Sequence, residues 1–432
     1  MDASLDRRHF VAASAALAAA GLTGVLGREA LAAESAKADA KAASAKDGEV
    51  KAASAAKEGS AAKDGSAAAD KPRLGNTQVD LHRGYAAAHG TRSFAQAVVA
   101  VVGGTIVAAS VDEFQFMSTE SGVTPLPNSG TAFDKGVADG QALISKTDNN
   151  ALYSAAFMAK GGTQTWRASM SAIEKFAVGQ TPADLAKVAQ DGVDGKVGVD
   201  TVTGATLEDT FKYLQAIAAV AQDDTVVTTG WFDGDPSTLG LRRASGSART
   251  THATGNAVVL TQGDKIVAAS VDEFEFEAAD GGFTPVPNSD ADFGKSFPEG
   301  KVLVSKSVND EVYSAAMAKG KTGSKQSWLT SVSSIEETVQ GLRAGEATHQ
   351  IAETLTGSTL VCGSGYAATI ALAAAAPAQN VVADGDYATS DGLYTVTVKD
   401  GKIVSATING VVSANEAGLA EGAKLTLAPA AK

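Results

Sequence analysis

From residue 97 the chain runs AVVAVVGGTIVAASVDEFQF, two stretches of β-branched and small apolar residues separated by Gly-Gly. This pattern predicts a β-hairpin. A second stretch of the same kind is broken by Gln262-Gly263-Asp264 and predicts another. After a middle section rich in Pro and Gly, TWRASMSAIEKFAVG places Trp166, Met170, Ile173 and Ala177 at three-to-four residue spacing. That spacing predicts a helix with one buried face, ended by Gly179. LEDTFKYLQAIAAVAQ, from residue 207, predicts a second amphipathic helix. Strands followed by helices give an α+β class.

The pattern occurs twice. IVAASVDEF stands at 106–114 and again at 266–274, and the same shift of 160 relates TPLPNS to TPVPNS, ISK to VSK, and YSAA at 153 to YSAA at 313. The shift becomes 162 at Trp166 and Trp328 and at Ile173-Glu174 and Ile335-Glu336, which places a short insertion in a loop before the second helix. Two tandem repeats are therefore expected, each a small antiparallel sheet with helices, at 76–228 and 244–378. A β-rich segment follows at 382–432. Within it DGLYTVTVKDGKIVSATING repeats the hairpin once more, with Lys402-Ile403-Val404 aligned to Lys265-Ile266-Val267. Two readings stay open for that segment: completion of a neighbouring sheet, or a small β cap.

Composition narrows the chemistry. Of 432 residues 49 are acidic and 36 basic, a net charge of −13, which argues against non-specific binding to nucleic acid or anionic lipid. The single cysteine, Cys362, and five histidines at 9, 82, 89, 252 and 349 supply neither a disulfide framework nor a Cys/His metal cluster. No Ser-His-Asp nucleophile motif is present. Asp6-Arg7-Arg8-His9-Phe10, a weakly apolar run from Val11 to Gly27 and Ala30-Leu31-Ala32 together resemble a twin-arginine signal with a small-x-small cleavage site. Residues 1–33 are read as that signal, and 34–75, rich in Ala, Lys, Asp and Ser, as a low-complexity linker. The expected localisation is outside the cytoplasm, extracellular or at the cell surface or periplasm, with the membrane met only through the signal peptide.

Just before the second helix the chain reads VDTVTGATLEDT, residues 199–210. The segment Asp200-Thr201-Val202-Thr203-Gly204-Ala205-Thr206 resembles the attachment motif of the FMN-binding domain family, Asp-x-x-Ser/Thr-Gly-Ala-Thr. That family includes flavin subunits of sodium-translocating NADH:quinone reductase and Rnf complexes, and exported electron-transfer flavoproteins. The hairpin and the tryptophan helix extend the resemblance over most of residues 90–222. It implies a phosphoester between the Thr206 hydroxyl and FMN, installed by a flavin transferase using FAD. Gly204 would let the backbone approach the phosphate, and N–H groups opening the next helix would face its oxygens. Ala205 would leave room for the transferase, and Thr203 would serve as a cap or turn residue. Asp200 would either shape the turn or help activate the threonine.

Glu353-Thr354-Leu355-Thr356-Gly357-Ser358-Thr359 occupies the matching place in the second repeat, with Glu for Asp and Ser for Ala, so Thr359 is either a second attachment point or part of a degenerate copy. The tryptophans read as core, with stacking on the flavin as the alternative. Asp112-Glu113 and Asp272-Glu273, paired acids of a kind used in acid–base catalysis, read instead as solvated strand-edge or strand-closing charges, and the Pro-x-Pro-Asn-Ser loops as turns or as a border of the cofactor. The function implied is electron transfer between a membrane-bound donor and an extracytoplasmic acceptor, by a carrier rather than a self-sufficient enzyme. The alternatives are a cofactor-free surface interaction protein and a flavin module of a larger reductase.

Overall fold

A computed structural model describes residues 74–158, 164–247, 251–320, 326–347, 358–360 and 363–378, and strands at 385–388, 394–399, 402–408 and 411–412. The expected signal, nearly all of the linker, Cys362 and residues 353–357 lie outside the described residues.

The class is α+β. The first half runs β1 (Thr77–Ala86), β2 (Ser93–Val102), β3 (Thr105–Ser118), β4 (Gln141–Ser145), α1 (Asn150–Met158), α2 (Trp166–Ala177), α3 (Pro182–Val193), α4 (Thr210–Val220) and β5 (Val227–Phe232). Its antiparallel sheet has the order β4-β3-β2-β1-β5. The second half runs β6 (Leu239–Gly246), β7 (Ala253–Gln262), β8 (Lys265–Ala278), β9 (Lys301–Ser305), α5 (Asp310–Lys319), α6 (Trp328–Thr338) and α7 (Gly363–Ala375), with sheet order β6-β7-β8-β9. Among the described residues β10 (Gly385–Ala388), β11 (Tyr394–Lys399), β12 (Lys402–Ile408) and β13 (Val411–Val412) form a separate four-stranded antiparallel sheet in that order.

The hairpins share one irregularity. Val101 pairs with Ile106, Thr261 with Ile266 and Val398 with Ile403, each beside a register shift that leaves Val107, Val267 or Val404 as the extra residue of a bulge. Gly103 and Gly104, with φ of 54° and 81°, turn the first of them in the left-handed conformation that a two-residue hairpin loop requires.

β2 is buried on both faces, and this explains its unbroken apolar run. Ala95, Ala97 and Val99 pack under Trp166, Met170, Ile173, Leu214 and Ile217. Val98 and Ala100 face Val258, Leu260, Val267 and Ala268 of the second half. The two sheets thus pack face to face, and the helices cover the outer sides: Trp328, Val332, Ile335 and Ile370 lie on Ala257, Val259 and Val271. Phe94, Phe114, Phe274 and Phe293 close one end of the inner layer, with ring centroids 5.1–5.4 Å apart.

Polar groups cross this inner layer in both directions. Arg83 donates from Nε to Ser270 Oγ at 2.8 Å, from Nη2 to Ser270 O at 2.5 Å and from Nη1 to Asn256 Oδ1 at 3.3 Å. Arg243, 160 residues later, donates from Nη2 to Gln96 and places Nη1 3.4 Å from Asp112 Oδ2. The Pro-x-Pro-Asn-Ser loops are turns that clasp the opposite half. Asn128, at φ 69°, donates to Ala253 O at 2.6 Å, and Asn288, at φ 65°, donates to Gly90 O at 3.0 Å and Ser93 O at 2.6 Å.

The paired acids are not solvated. Asp112, Glu113, Asp272 and Glu273 are each 1% exposed or less: Asp112 and Asp272 meet the other half through Arg243 and Tyr85, whereas Glu113 and Glu273 face the helices of their own half, where Tyr213 and Tyr366 donate to them. Asp112 accepts from Ser145 Oγ (2.6 Å), Thr147 N (2.9 Å) and Thr147 Oγ1 (2.7 Å). Glu113 takes Lys146 Nζ at 2.6 Å, and Glu273 takes Lys306 Nζ at 2.7 Å. The lysines are those of the repeated Ile/Val-Ser-Lys strings. Burial pulls the Lys146 ammonium down, but Glu113 and Tyr153 together outweigh it and hold the group above the ordinary lysine range.

Candidate functional site

α2 begins where Thr165 Oγ1 accepts Ala168 N at 3.0 Å, an N-cap, and it buries Trp166, Met170, Ile173 and Ala177 as its spacing predicts. Trp166 and Trp328 are core residues, 1% and 0% exposed. Past α2, Gly179 N donates to Ile106 O at 2.8 Å and Ile106 N to Gln180 O at 2.9 Å, so the helix exit is stitched to the bulged hairpin. Thr181, accepting Asp184 N, caps α3, with Pro182 at its first position.

The chain then reaches the motif. Asp200 is exposed on a 3-10 turn, Val199–Thr201. Ala205 N donates to Val202 O at 2.9 Å, closing a turn with Thr203 and Gly204 at its centre. Gly204 has φ 89°, as the third residue of a type II turn must, and a Cβ there would stand 3.3 Å from Ala172 Cβ. Thr203 is therefore a turn residue; α4 is preceded by Asp209 instead.

Thr206 is exposed, and its hydroxyl lies 2.9 Å from Ser169 Oγ, which is fully buried on α2. Gln164 Nε2 donates to Ser169 Oγ at 2.6 Å and also to Gly204 O. The structure thus brings Thr203, Gly204, Ala205 and Thr206 together against α2, and among the described residues Asp200 makes no bond to Thr206. Thr210 donates from both N and Oγ1 to Leu207 O, at 3.1 and 2.6 Å, whereas among the described residues the N–H groups of Thr206, Leu207 and Glu208 have no acceptor. Free N–H groups ahead of a helix suit a phosphate. The Asp209 carboxylate that follows is paired: it lies 2.8 Å from His89 Nδ1 and 2.7 Å from Lys212 Nζ. Partial burial pushes its carboxyl up, but Lys212 and His89 outweigh that and hold it below the usual range.

Through His89 the first turn of α4 joins a cavity of about 470 Å³, lined by His89, Arg92, Gln115 and Tyr153 and by Asp292 of the second half. Tyr153 stands edge-on to Trp166 at 6.4 Å, with Lys146 Nζ 4.6 Å from its ring centre. Among the described residues no group of three or more His, Cys, Asp or Glu is placed to hold a metal ion, and no helix is long and apolar enough to cross a membrane.

The second half repeats the central contact. Ser331, buried on α6, lies 3.2 Å from Thr359 Oγ1, and Thr359 is exposed. Trp328 Nε1 donates to Tyr366 Oη (3.1 Å), which donates to Glu273 (2.7 Å); in the first half Tyr213 Oη donates to Glu113 at 2.8 Å. One partner is missing. Glu174 accepts from Val111 N at 2.7 Å and pairs with Arg167, whereas Leu329 stands at the matching place beside Glu336. Glu336 accepts from Val271 N (2.7 Å) and Thr228 Oγ1 (2.8 Å), and burial pushes its carboxyl up to about 7.

Ser169, Ser331 and Gln164 are absent from the residues singled out in the sequence. The signal was a shared Trp-x-x-Ser string at the start of both helices. Comparison with known protein families, with curated proteins and with solved structures returns no match.

Proposed function

We propose that the chain is an exported flavoprotein with FMN tethered to Thr206, carrying electrons between a membrane-bound donor and an extracytoplasmic acceptor. What carries this reading is one arrangement: an exposed threonine hydroxyl, fixed from behind by a buried serine, on a glycine turn whose following N–H groups are free. These residues fit a phosphoester. Thr206 would supply the oxygen, the N–H groups of Leu207 and Glu208 would hold the phosphate, and Lys212 beside Asp209 would keep that carboxylate from opposing it. His89, Arg92, Gln115 and Tyr153 offer the flavin ring a polar cavity bounded by one aromatic side chain. Bound FMN would supply reversible electron transfer, and the protein would hold the ring and tune its surroundings.

The same proposal includes a twin-arginine signal over 1–33, a linker over 34–75, and a tandem duplication beneath the two halves, which the common bulge and the 160-residue offset of the ladders support. We place the end of the first repeat after β5, since Val227–Phe232 pairs with β1. A flavin transferase using FAD, a membrane donor and a redox acceptor are its partners.

Chain purified from its own host should carry a fluorescent band that survives SDS and a mass above that of its amino acids. Thr206→Val should lose the first-half label while Thr206→Ser keeps it. A colourless wild-type chain from a host that has the transferase would overturn the proposal in favour of a cofactor-free interaction protein.

A further inference from the structure

The environment of the Thr206 hydroxyl carries a finer assignment, which rests on the flavoprotein reading. Ser169 is wholly buried, yet its Oγ lies 2.9 Å from an exposed hydroxyl. Gln164 Nε2 already donates to that Oγ at 2.6 Å, so the serine proton is free to point at Thr206 Oγ1. Threonine is stiff at χ1, and one such bond is enough to select a rotamer. The contact recurs in the second half between Ser331 and Thr359, at 3.2 Å, although the chain after that threonine reads quite differently.

We propose that Ser169 is a positioning residue that holds the Thr206 hydroxyl outward for modification, and that Ser331 does the same for Thr359. In the transfer Thr206 Oγ1 bonds to the flavin-side phosphorus of FAD, the bond from that phosphorus to the AMP oxygen breaks, AMP leaves, and the threonine proton passes to a base of the transferase. Ser169 takes no proton. It keeps the nucleophilic lone pair facing solvent, so its removal slows the step without weakening the docking of the two proteins.

The experiment compares full-length wild type, Ser169→Ala and Ser169→Cys, with FAD and transferase, by initial rates of covalent fluorescence. The alanine variant should label about fivefold to tenfold more slowly, the value of one neutral hydrogen bond, through kcat and with KM for the acceptor protein unchanged; the cysteine variant should fall between. Independently, NMR couplings of Thr206 in unlabelled protein should show one χ1 rotamer in wild type and averaging in Ser169→Ala. Wild-type kcat in Ser169→Ala, or an unaltered single rotamer, would overturn the role of Ser169. A wild-type chain that takes no flavin would instead overturn the flavoprotein reading, while the rotamer measurement would still judge the contact. For the second half, a Thr206→Val chain should take a label that slows on adding Ser331→Ala; absence of any label there would overturn the role of Ser331.

Discussion

Glu336 should make the protein less stable as pH rises from 4.5 to about 7. Its carboxyl is buried beneath α6, where an N–H and one hydroxyl are its hydrogen-bond donors, and Leu329 occupies the place of the arginine that serves Glu174. Burial is the main cause of its rise to about 7, and nearby Asp272 adds to it. In the unfolded chain the group returns to its ordinary value of 4.5. Between these two values the folded state keeps a proton that the unfolded state has released, so stability falls with rising pH, and the loss is complete above pH 7. At about 1.4 kcal/mol per pH unit the span amounts to roughly 3 kcal/mol. Glutamine has the same shape and no proton to lose. Urea unfolding of wild type and Glu336→Gln from pH 4 to pH 8 should give stability differences that shift by about this amount in favour of glutamine as pH rises. The histidines and other acids are common to both chains and cancel. A difference that stays constant over that range would refute the reasoning.

Gly204→Ala must place a side chain at φ 89° and against Ala172, at a cost of about 1–2 kcal/mol; reduced flavin labelling with a small drop in Tm is the expected outcome, and wild-type labelling would count against the turn. Residues 76–232 produced alone would expose Val79, Leu81, Phe94, Val98 and Phe232, all buried against the second half. Light scattering should find that fragment dimeric or aggregated, and a stable monomer would contradict the face-to-face packing.

What could be read from the sequence was local. The hairpins, the face of α2 and the glycine turn all follow from short-range spacing, and the structure shows each of them. The doubled core needed a longer view. β2 reads as continuous Ala and Val because it is covered on both sides, a pattern consistent with buried strands but silent about what covers them. Asp112 and Glu113 read as edge charges because their partners, Ser145, Lys146, Thr147 and Arg243, lie 33 to 131 residues away. α3 has a readable start in Thr181-Pro182, but it buries only Leu185 and Ala189, too sparse an apolar stripe to announce a helix by its spacing. Ser169 sat in plain view on a predicted helix, but only the folded chain shows that it meets Thr206.

Stacking helix, sheet, sheet and helix at about 10 Å per layer sends the two threonine-bearing surfaces in opposite directions, roughly 30 Å apart. The body is two-headed: a visitor on one side leaves the other free. On the flavoprotein reading we propose, an electron held on one side would have to be collected there, since tunnelling dies away exponentially through so thick a wall.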